Sequence, residues 1–332
     1  ARGFYKLLET LKTSDKGYSK LIQIADFQEL TSIGLGRTGE MNKMIKNLTN
    51  ETIWEFIRLT RSNLREFLAS EHIQMDLDDM IIHALLSPTT GSVLSVVDFC
   101  GCSGSKFTQM FIQAVEKLYN GNEIIDYNYQ ITCLGLNDCT DLPSYILGKL
   151  LNTLPELQKL DLRHTSLDDQ TLIRGIPHLK GLTHLSLGMC SQLTPRTVLE
   201  FFSYHPAVTD ENNSTTLQWL NIQVHPHSSS WTDVQAMFLL KKLCRYGHNK
   251  TLQYLNIGGI PLHESDDATI TKTNYYYQCQ DTLQFIKWNF PNLKSLSIRD
   301  NNIPYPKLVH FLSPVGVEDV GSTLGENVPL PQ

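Results

Sequence analysis

Residues 157–165 read LQKLDLRHT, and the same frame returns four times further along the chain. The later copies begin at residues 182, 217, 252 and 293 and read LTHLSLGMC, LQWLNIQVH, LQYLNIGGI and LKSLSIRDN. In all five copies apolar residues fill the first, fourth and sixth positions, which is the LxxLxL part of the pattern LxxLxLxx(N/C). A frame that recurs along a chain predicts one structural unit that is repeated.

Looser copies extend the repeat toward the N-terminus. They are ITCLGLNDC from residue 131, LSVVDFCGC from 94, LREFLASEH from 64 and SKLIQIADF from 19. The chain then holds nine candidate units, with intervals of 25 to 45 residues between frames. This frame is that of a leucine-rich repeat. It predicts an α/β solenoid, or horseshoe, with parallel β-strands on the concave face and helices on the convex face.

The repeat also changes the expected number of domains. At about 150 residues per domain, a chain of 332 residues would form two domains. A solenoid grows by adding units, so we expect a single domain of about nine irregular repeats over residues 1–312. Residues 313–332 are rich in Gly, Pro and Val and have no periodicity, which predicts a C-terminal cap or a flexible tail.

The segments between frames carry signals for the start of a helix. Thr194 stands before Pro195, the order of an N-cap followed by proline at the first helical position. Asp76 and Ser105 each precede apolar residues at helical spacing. We expect helices to begin at these points, each antiparallel to the strand before it.

Composition narrows the classes of function. The net charge of -6 and the pI near 6.0 argue against binding nucleic acid, which requires clustered Lys and Arg. No stretch approaches the roughly 20 apolar residues of a membrane helix, so we expect a soluble chain. Seven cysteines are an odd number, which fits free thiols in the reducing cytoplasm or nucleus better than a disulfide framework.

Neither a metal nor a cofactor is expected. Cys102, Cys139 and Cys190 stand at the ninth position of their frames, where Asn or Cys turns inward and bonds neighbouring backbone. A zinc site would need paired ligand spacings that are missing here, and the HPH run of His225 and His227 is typical of a loop.

A second motif, GLGRTG, has the glycine spacing of a dinucleotide loop at Gly34, Gly36 and Gly39. The strand-like run ends too early, and no compact βαβ unit follows. A structured loop between the first two repeats is the better interpretation of these glycines.

The concave face is the candidate site, because strand side chains alternate and the third, fifth and seventh frame positions project from it. Exposed aromatic residues beside Arg are typical of binding hot spots, and cations beside amides suit a carboxylate. An alternative is that Trp219 and Tyr254 cover the sheet against a rim loop. The candidate binding residues are Lys159, Asp161, Arg163, His184, Trp219, Asn221, Gln223, Tyr254, Asn256 and Arg299. Earlier repeats place on this face Glu66, Leu68, Ser70, Val96, Asp98, Cys100, Cys133, Gly135 and Asn137.

The arrangement resembles the leucine-rich-repeat domain of F-box proteins, especially fungal ones. The resemblance rests on the cysteine positions, the uneven helix-rich repeats, and the segment IGLGRTGEMNKMIKNLT followed by LREFLASEH and VVDFCGC. In that family an F-box docks on the Skp1 adaptor, and the horseshoe presents a substrate for ubiquitin transfer. No F-box is legible here, so we expect one upstream of Ala1 or removed.

The resemblance implies a non-catalytic subunit of an SCF (cullin-RING) ubiquitin ligase. Its partners would be a substrate protein or degron peptide on the concave face, and Skp1 and cullin through the F-box. A regulator of a small GTPase is an alternative, because such a horseshoe can offer an Arg to the phosphates. A third hypothesis is an extracellular receptor, since glycosylation sequons occur at Asn47, Asn50, Asn212, Asn213 and Asn249.

Overall fold

Nine three-residue strands pair in parallel in one sheet, and each is the neighbour of the next sheet strand along the chain. The computed structural model describes residues 3–14, 16–28, 48–88, 91–209, 215–226, 230–262, 281–301 and 303–312. The sheet strands in these segments are β1 (Ile24–Asp26), β2 (Glu66–Leu68), β3 (Val96–Asp98), β6 (Cys133–Gly135), β7 (Lys159–Asp161), β8 (His184–Ser186), β9 (Trp219–Asn221), β10 (Tyr254–Asn256) and β11 (Ser295–Ser297). A separate antiparallel pair is formed by β4 (Tyr119–Asn120) and β5 (Glu123–Ile124).

Helices alternate with the sheet strands, so the predicted α/β class is confirmed. The α-helices of the described segments are Gly3–Thr13, Asn50–Thr60, Asp79–Leu86, Ser105–Glu116, Ser144–Asn152, Asp169–Arg174, Pro195–Tyr204, Asp233–Arg245, Thr282–Asn289 and Tyr305–Leu312. None of these helices is long and apolar enough to cross a membrane. The glycine motif at residues 34–39, His227, three of the sequons (Asn47, Asn212 and Asn213) and the tail 313–332 lie outside the described residues.

Eight of the nine frames lie where the sequence predicts, because each strand occupies the third to fifth positions of its frame. The frame that was predicted to begin at Ser19 is wrong. Residues 18–21 form a 3₁₀ turn, and Ile24, which that frame would bury, is 54% exposed. Ala25 and Phe27 are buried instead, so the true frame begins three residues later, at Ile22. The apolar run LIQI is compatible with a frame that begins at Ser19 and with one that begins at Ile22. The burial of Ala25 and Phe27 shows that the second frame forms.

The core lies between the sheet and the helices. The fourth and sixth frame positions point into it, and in four successive repeats none of these side chains is more than 3% exposed: Leu160, Leu162, Leu185, Leu187, Leu220, Ile222, Leu255 and Ile257. They join one hydrophobic cluster with buried helix residues such as Phe201 and Phe202. Each unit therefore buries its apolar side against its neighbours, as repeats require.

Two of the three ninth-position cysteines have the predicted hydrogen bond to neighbouring backbone, and all three are buried. The thiol of Cys139 donates to the carbonyl oxygen of Phe99 at 3.1 Å, and that of Cys190 donates to the carbonyl oxygen of Leu162 at the same distance. Cys102 is fully buried at the equivalent position. The six cysteines in the described segments are all free thiols.

Two of the predicted helix starts agree with the structure and one does not. The Thr194 hydroxyl accepts from the backbone N–H of Thr197, with proline at the first helical position. Ser105 is the first residue of its helix. Asp76 ends a 3₁₀ turn instead, and Asp78 caps the helix because its carboxylate accepts from the backbone N–H of Ile81 at 2.8 Å.

Candidate functional site

Three aromatic rings lie side by side on the face of the sheet opposite the helices, here called the open face. His184, Trp219 and Tyr254 occupy the third frame position in β8, β9 and β10, and they face one another in register. The His184 and Trp219 ring centroids are 6.3 Å apart with planes 19° apart. Trp219 and Tyr254 are closer, at 4.6 Å and 5°. Every ring is partly exposed, and because the ring planes face one another, this aromatic row (His184, Trp219 and Tyr254) presents mainly ring edges on the open face.

The imidazole of the row is electrically neutral at physiological pH. Burial, together with the nearby Lys159 ammonium, lowers the pKa of His184. The Thr183 hydroxyl lies 2.8 Å from its Nδ1 atom and fixes the ring beside Trp219. His184 therefore contributes a polar aromatic surface and no positive charge.

The asparagines predicted for the site form hydrogen bonds within the protein, at the ends of their strands. Asn221 and Asn256 are buried, and each accepts the backbone N–H two residues further on, that of Gln223 at 3.1 Å and that of Gly258 at 3.0 Å. The Asn221 amide also donates to the Ser186 hydroxyl, and the Asn256 amide donates to the side-chain oxygen of Gln223. These bonds hold the strand ends in place and leave the amides little capacity for a ligand.

The same turn recurs in other repeats, and the sequence reasoning missed it. Asp26, Asp98 and Asp161 stand at the fifth frame position and accept from the backbone N–H two residues on, at distances of 2.8 to 2.9 Å. Side chains of Asp and Asn favour this local turn. The signal was in the sequence, because five of the nine frames carry Asp or Asn at this position once the first frame begins at Ile22.

The predicted cations do not converge. Arg163 follows β7 and Arg299 follows β11, four strand steps away, which at about 4.8 Å per step is about 19 Å. Arg299 lies 3.4 Å from the carboxylate of the adjacent Asp300. The structure therefore does not bring the two guanidinium groups together around one carboxylate.

A depression of about 300 Å³ opens beside the aromatic row. Its lining spans β3 to β9: Val96, Asp98, Cys100, Cys133, Leu134, Gly135, Asn137, Lys159, Leu160, Asp161, His184, Ser186 and Trp219. The predicted candidates Lys159, Asp161, His184 and Trp219 meet there. The sequence placed Asp98, Gly135 and Asn137 on this face without assigning them to the site.

The thiols in the depression are poor nucleophiles. Burial raises the pKa of Cys100 and that of Cys133, so both stay protonated at neutral pH. Within the described segments, no group of three or more His, Cys, Asp and Glu side chains is placed to hold a metal ion. The arrangement offers stacking, apolar contact and hydrogen-bond acceptors, which are the means of binding a partner.

Comparison with known proteins gives one strong match. The chain is 64% identical over 325 residues to F-box protein YLR352W of Saccharomyces cerevisiae (strain ATCC 204508 / S288c). This chain is similar to an F-box protein. The alignment covers 95% of this chain, which spans only 40% of the length of that relative.

No family model matches the sequence. Among solved structures, a chain in the crystal structure of the Rad7 and Elc1 complex from yeast aligns with a TM-score of 0.43 and 18% identity. That alignment covers 77% of this chain and 61% of the other.

Proposed function

We propose that this chain is the substrate-recognition region of an F-box protein, the receptor subunit of an SCF ubiquitin ligase. The 64% identity to an F-box protein extends over 95% of the chain and supports a shared role. In this proposal Skp1 and cullin bind through an F-box elsewhere in the full-length protein. The chain itself carries out no chemistry.

The proposal includes the shape of the protein. Nine parallel strands in chain order, each followed by a return segment, are the arrangement of a leucine-rich-repeat solenoid. In such a solenoid the open face is the concave inner surface. A partner bound there would contact several strands at once.

The observation that carries the proposal is the aromatic row. Trp and Tyr are enriched among the residues that dominate binding energy, because they bury a large area and lose little conformational entropy. Trp219 and Tyr254 are held in parallel by paired strands before any partner arrives. Such preorganisation reduces the entropy lost on binding.

The test uses tagged full-length protein purified from its own cells, with the bound proteins identified by mass spectrometry. Wild type should recover Skp1, cullin and at least one substrate. Trp219→Ala with Tyr254→Ala should keep Skp1 and cullin and lose the substrate. The control is Tyr145→Ala, since Tyr145 is 57% exposed on a helix away from the open face.

The outcomes separate the two halves of the proposal. If wild type recovers no Skp1, the chain does not belong to an SCF receptor. If the aromatic-row variant retains every protein that the Tyr145→Ala control retains, the open face is not where the substrate binds.

A further inference from the structure

The depression is formed around a glycine between two aspartates. Gly135 pairs with Asp98 on one side and with Asp161 on the other, all at the fifth frame position. An added Cβ atom at Gly135 would clash with Oδ1 of Asp98, so that carboxylate leans over the glycine. The missing side chain makes room for the Asp98 carboxylate, and Asp161 stands on the strand at the other side of the glycine.

One hydrogen-bond acceptor in the lining has no donor within the described part of the chain. The Asp98 carboxylate accepts hydrogen bonds from the backbone N–H of Cys100 at 2.8 Å and from the side-chain amide of Gln28 at 3.1 Å. The Oδ1 atom of Asn137 is buried and has no hydrogen-bond partner in the described part of the chain, while its amide nitrogen lies 3.3 Å from the Cys100 sulfur. The Asn137 oxygen is therefore an acceptor that the protein's own donors leave unfilled.

The charge of the lining is negative. Within the described segments, neither Asp98 nor Asp161 forms an ion pair with a cation within 4.0 Å. Lys159 is the one cation in the lining. It is exposed and is the first residue of the strand that also carries Asp161. Burial raises the pKa of Asp98, and the charges of Asp161 and Asp26 add to that rise. A second cation would offset this unfavourable carboxylate environment.

We propose that the depression receives a Lys or Arg side chain of the bound partner, beside a residue that contacts the aromatic row. This inference rests on the proposed function and names the chemistry of the substrate. A volume of about 300 Å³ lies at the small end of ligand pockets, which suits one long side chain. The aliphatic part of Lys or Arg would lie along Val96 and Cys133, and its charged end would reach Asp98 and Asp161.

The test measures side-chain preference directly. Positional-scanning peptide libraries, each with one position fixed as Lys, Arg, Gln or Glu, are titrated against full-length protein by fluorescence polarisation. Wild type should prefer Lys or Arg over Gln at one position by about tenfold. Asp98→Asn with Asp161→Asn keeps the side-chain acceptors for the strand turns and should lose that preference.

Two further variants sharpen the result. Glu66→Gln removes one carboxylate from the open face outside the depression, and it should keep the preference. Gly135→Ala leaves all charges in place and displaces the Asp98 carboxylate, so it should weaken the preference.

A preference for Glu, no preference at any position, or a basic preference that survives Asp98→Asn with Asp161→Asn would each overturn the inference. The proposed function is judged separately, by whether the aromatic-row variant loses its captured substrate.

Discussion

Trp219 and Tyr254 stack face to face, with centroids 4.6 Å apart and planes 5° apart, because they occupy the same frame position on neighbouring strands. Parallel strands lie about 4.8 Å apart, which is close to the distance between the two rings. The backbone therefore sets the spacing of the stack. Because residues at the same frame position become neighbours in the sheet, the aromatic row is ordered without a ligand.

Removal of this stack should separate binding from folding. Trp219→Ala with Tyr254→Ala is expected to abolish partner binding, while the free energy of unfolding falls by about 1 kcal/mol, the order of one aromatic pair. Both rings are partly exposed, so little core packing is lost. Urea unfolding measures the stability, and co-purification measures the binding. A large loss of stability would mean that the aromatics are structural.

Core leucines of the same frames should behave in the opposite way. Leu160 is 2% exposed and Leu185 is fully buried, so truncation of either to Ala leaves a cavity between sheet and helices. We expect each substitution to lower the free energy of unfolding by ~2–5 kcal/mol. Urea denaturation of each single variant checks this. A loss no greater than that of the aromatic-row variant would contradict the assignment of the core.

Cysteine labelling should report the buried ninth position. Cys139 is fully buried and its thiol donates to a carbonyl oxygen, and burial raises its pKa. Iodoacetamide should therefore modify Cys100 and Cys133, which are partly exposed, well before Cys102 and Cys139 in the native protein. Mass spectrometry after brief labelling gives the order, with urea-unfolded protein as the control. Equal rates in the native state would be inconsistent with the packing.

Periodicity predicts most of the fold and only part of the site. Apolar spacing predicted the positions of eight strands. It misplaced the strand of residues 19–27 by three residues, because the apolar run there is compatible with two registers. The Trp219 and Tyr254 pair was predicted because equal frame positions become neighbours in a sheet. The depression was not, because the frame specifies which positions face the open side and leaves the shape of the combined lining from β3 to β9 undetermined. Arg163 and Arg299 were predicted to act together because both occupy the seventh frame position, although four strand steps separate them in the sheet.

Buried histidines make stability depend on pH. The imidazole Nε2 of His248 lies 3.3 Å from the carbonyl oxygen of Phe202, and the Thr215 hydroxyl lies 3.0 Å from Nδ1. The Nδ1 of His205 accepts the backbone N–H of Ala207 at 3.1 Å, so that ring is held neutral. Burial lowers the pKa of each histidine from 6.5 to about 4.

The sign of the effect follows from which state binds protons. Between pH 6.5 and about 4 the unfolded chain protonates these imidazoles and the folded chain does not, so the free energy of unfolding falls as the pH falls. For His248 alone the loss is on the order of 3 kcal/mol. Urea unfolding from pH 8 to pH 4 should show this slope. His248→Gln, which keeps one donor and one acceptor, should flatten it, whereas His310→Gln at an exposed position should not. A slope unchanged by His248→Gln would show that this imidazole is not buried in its neutral form.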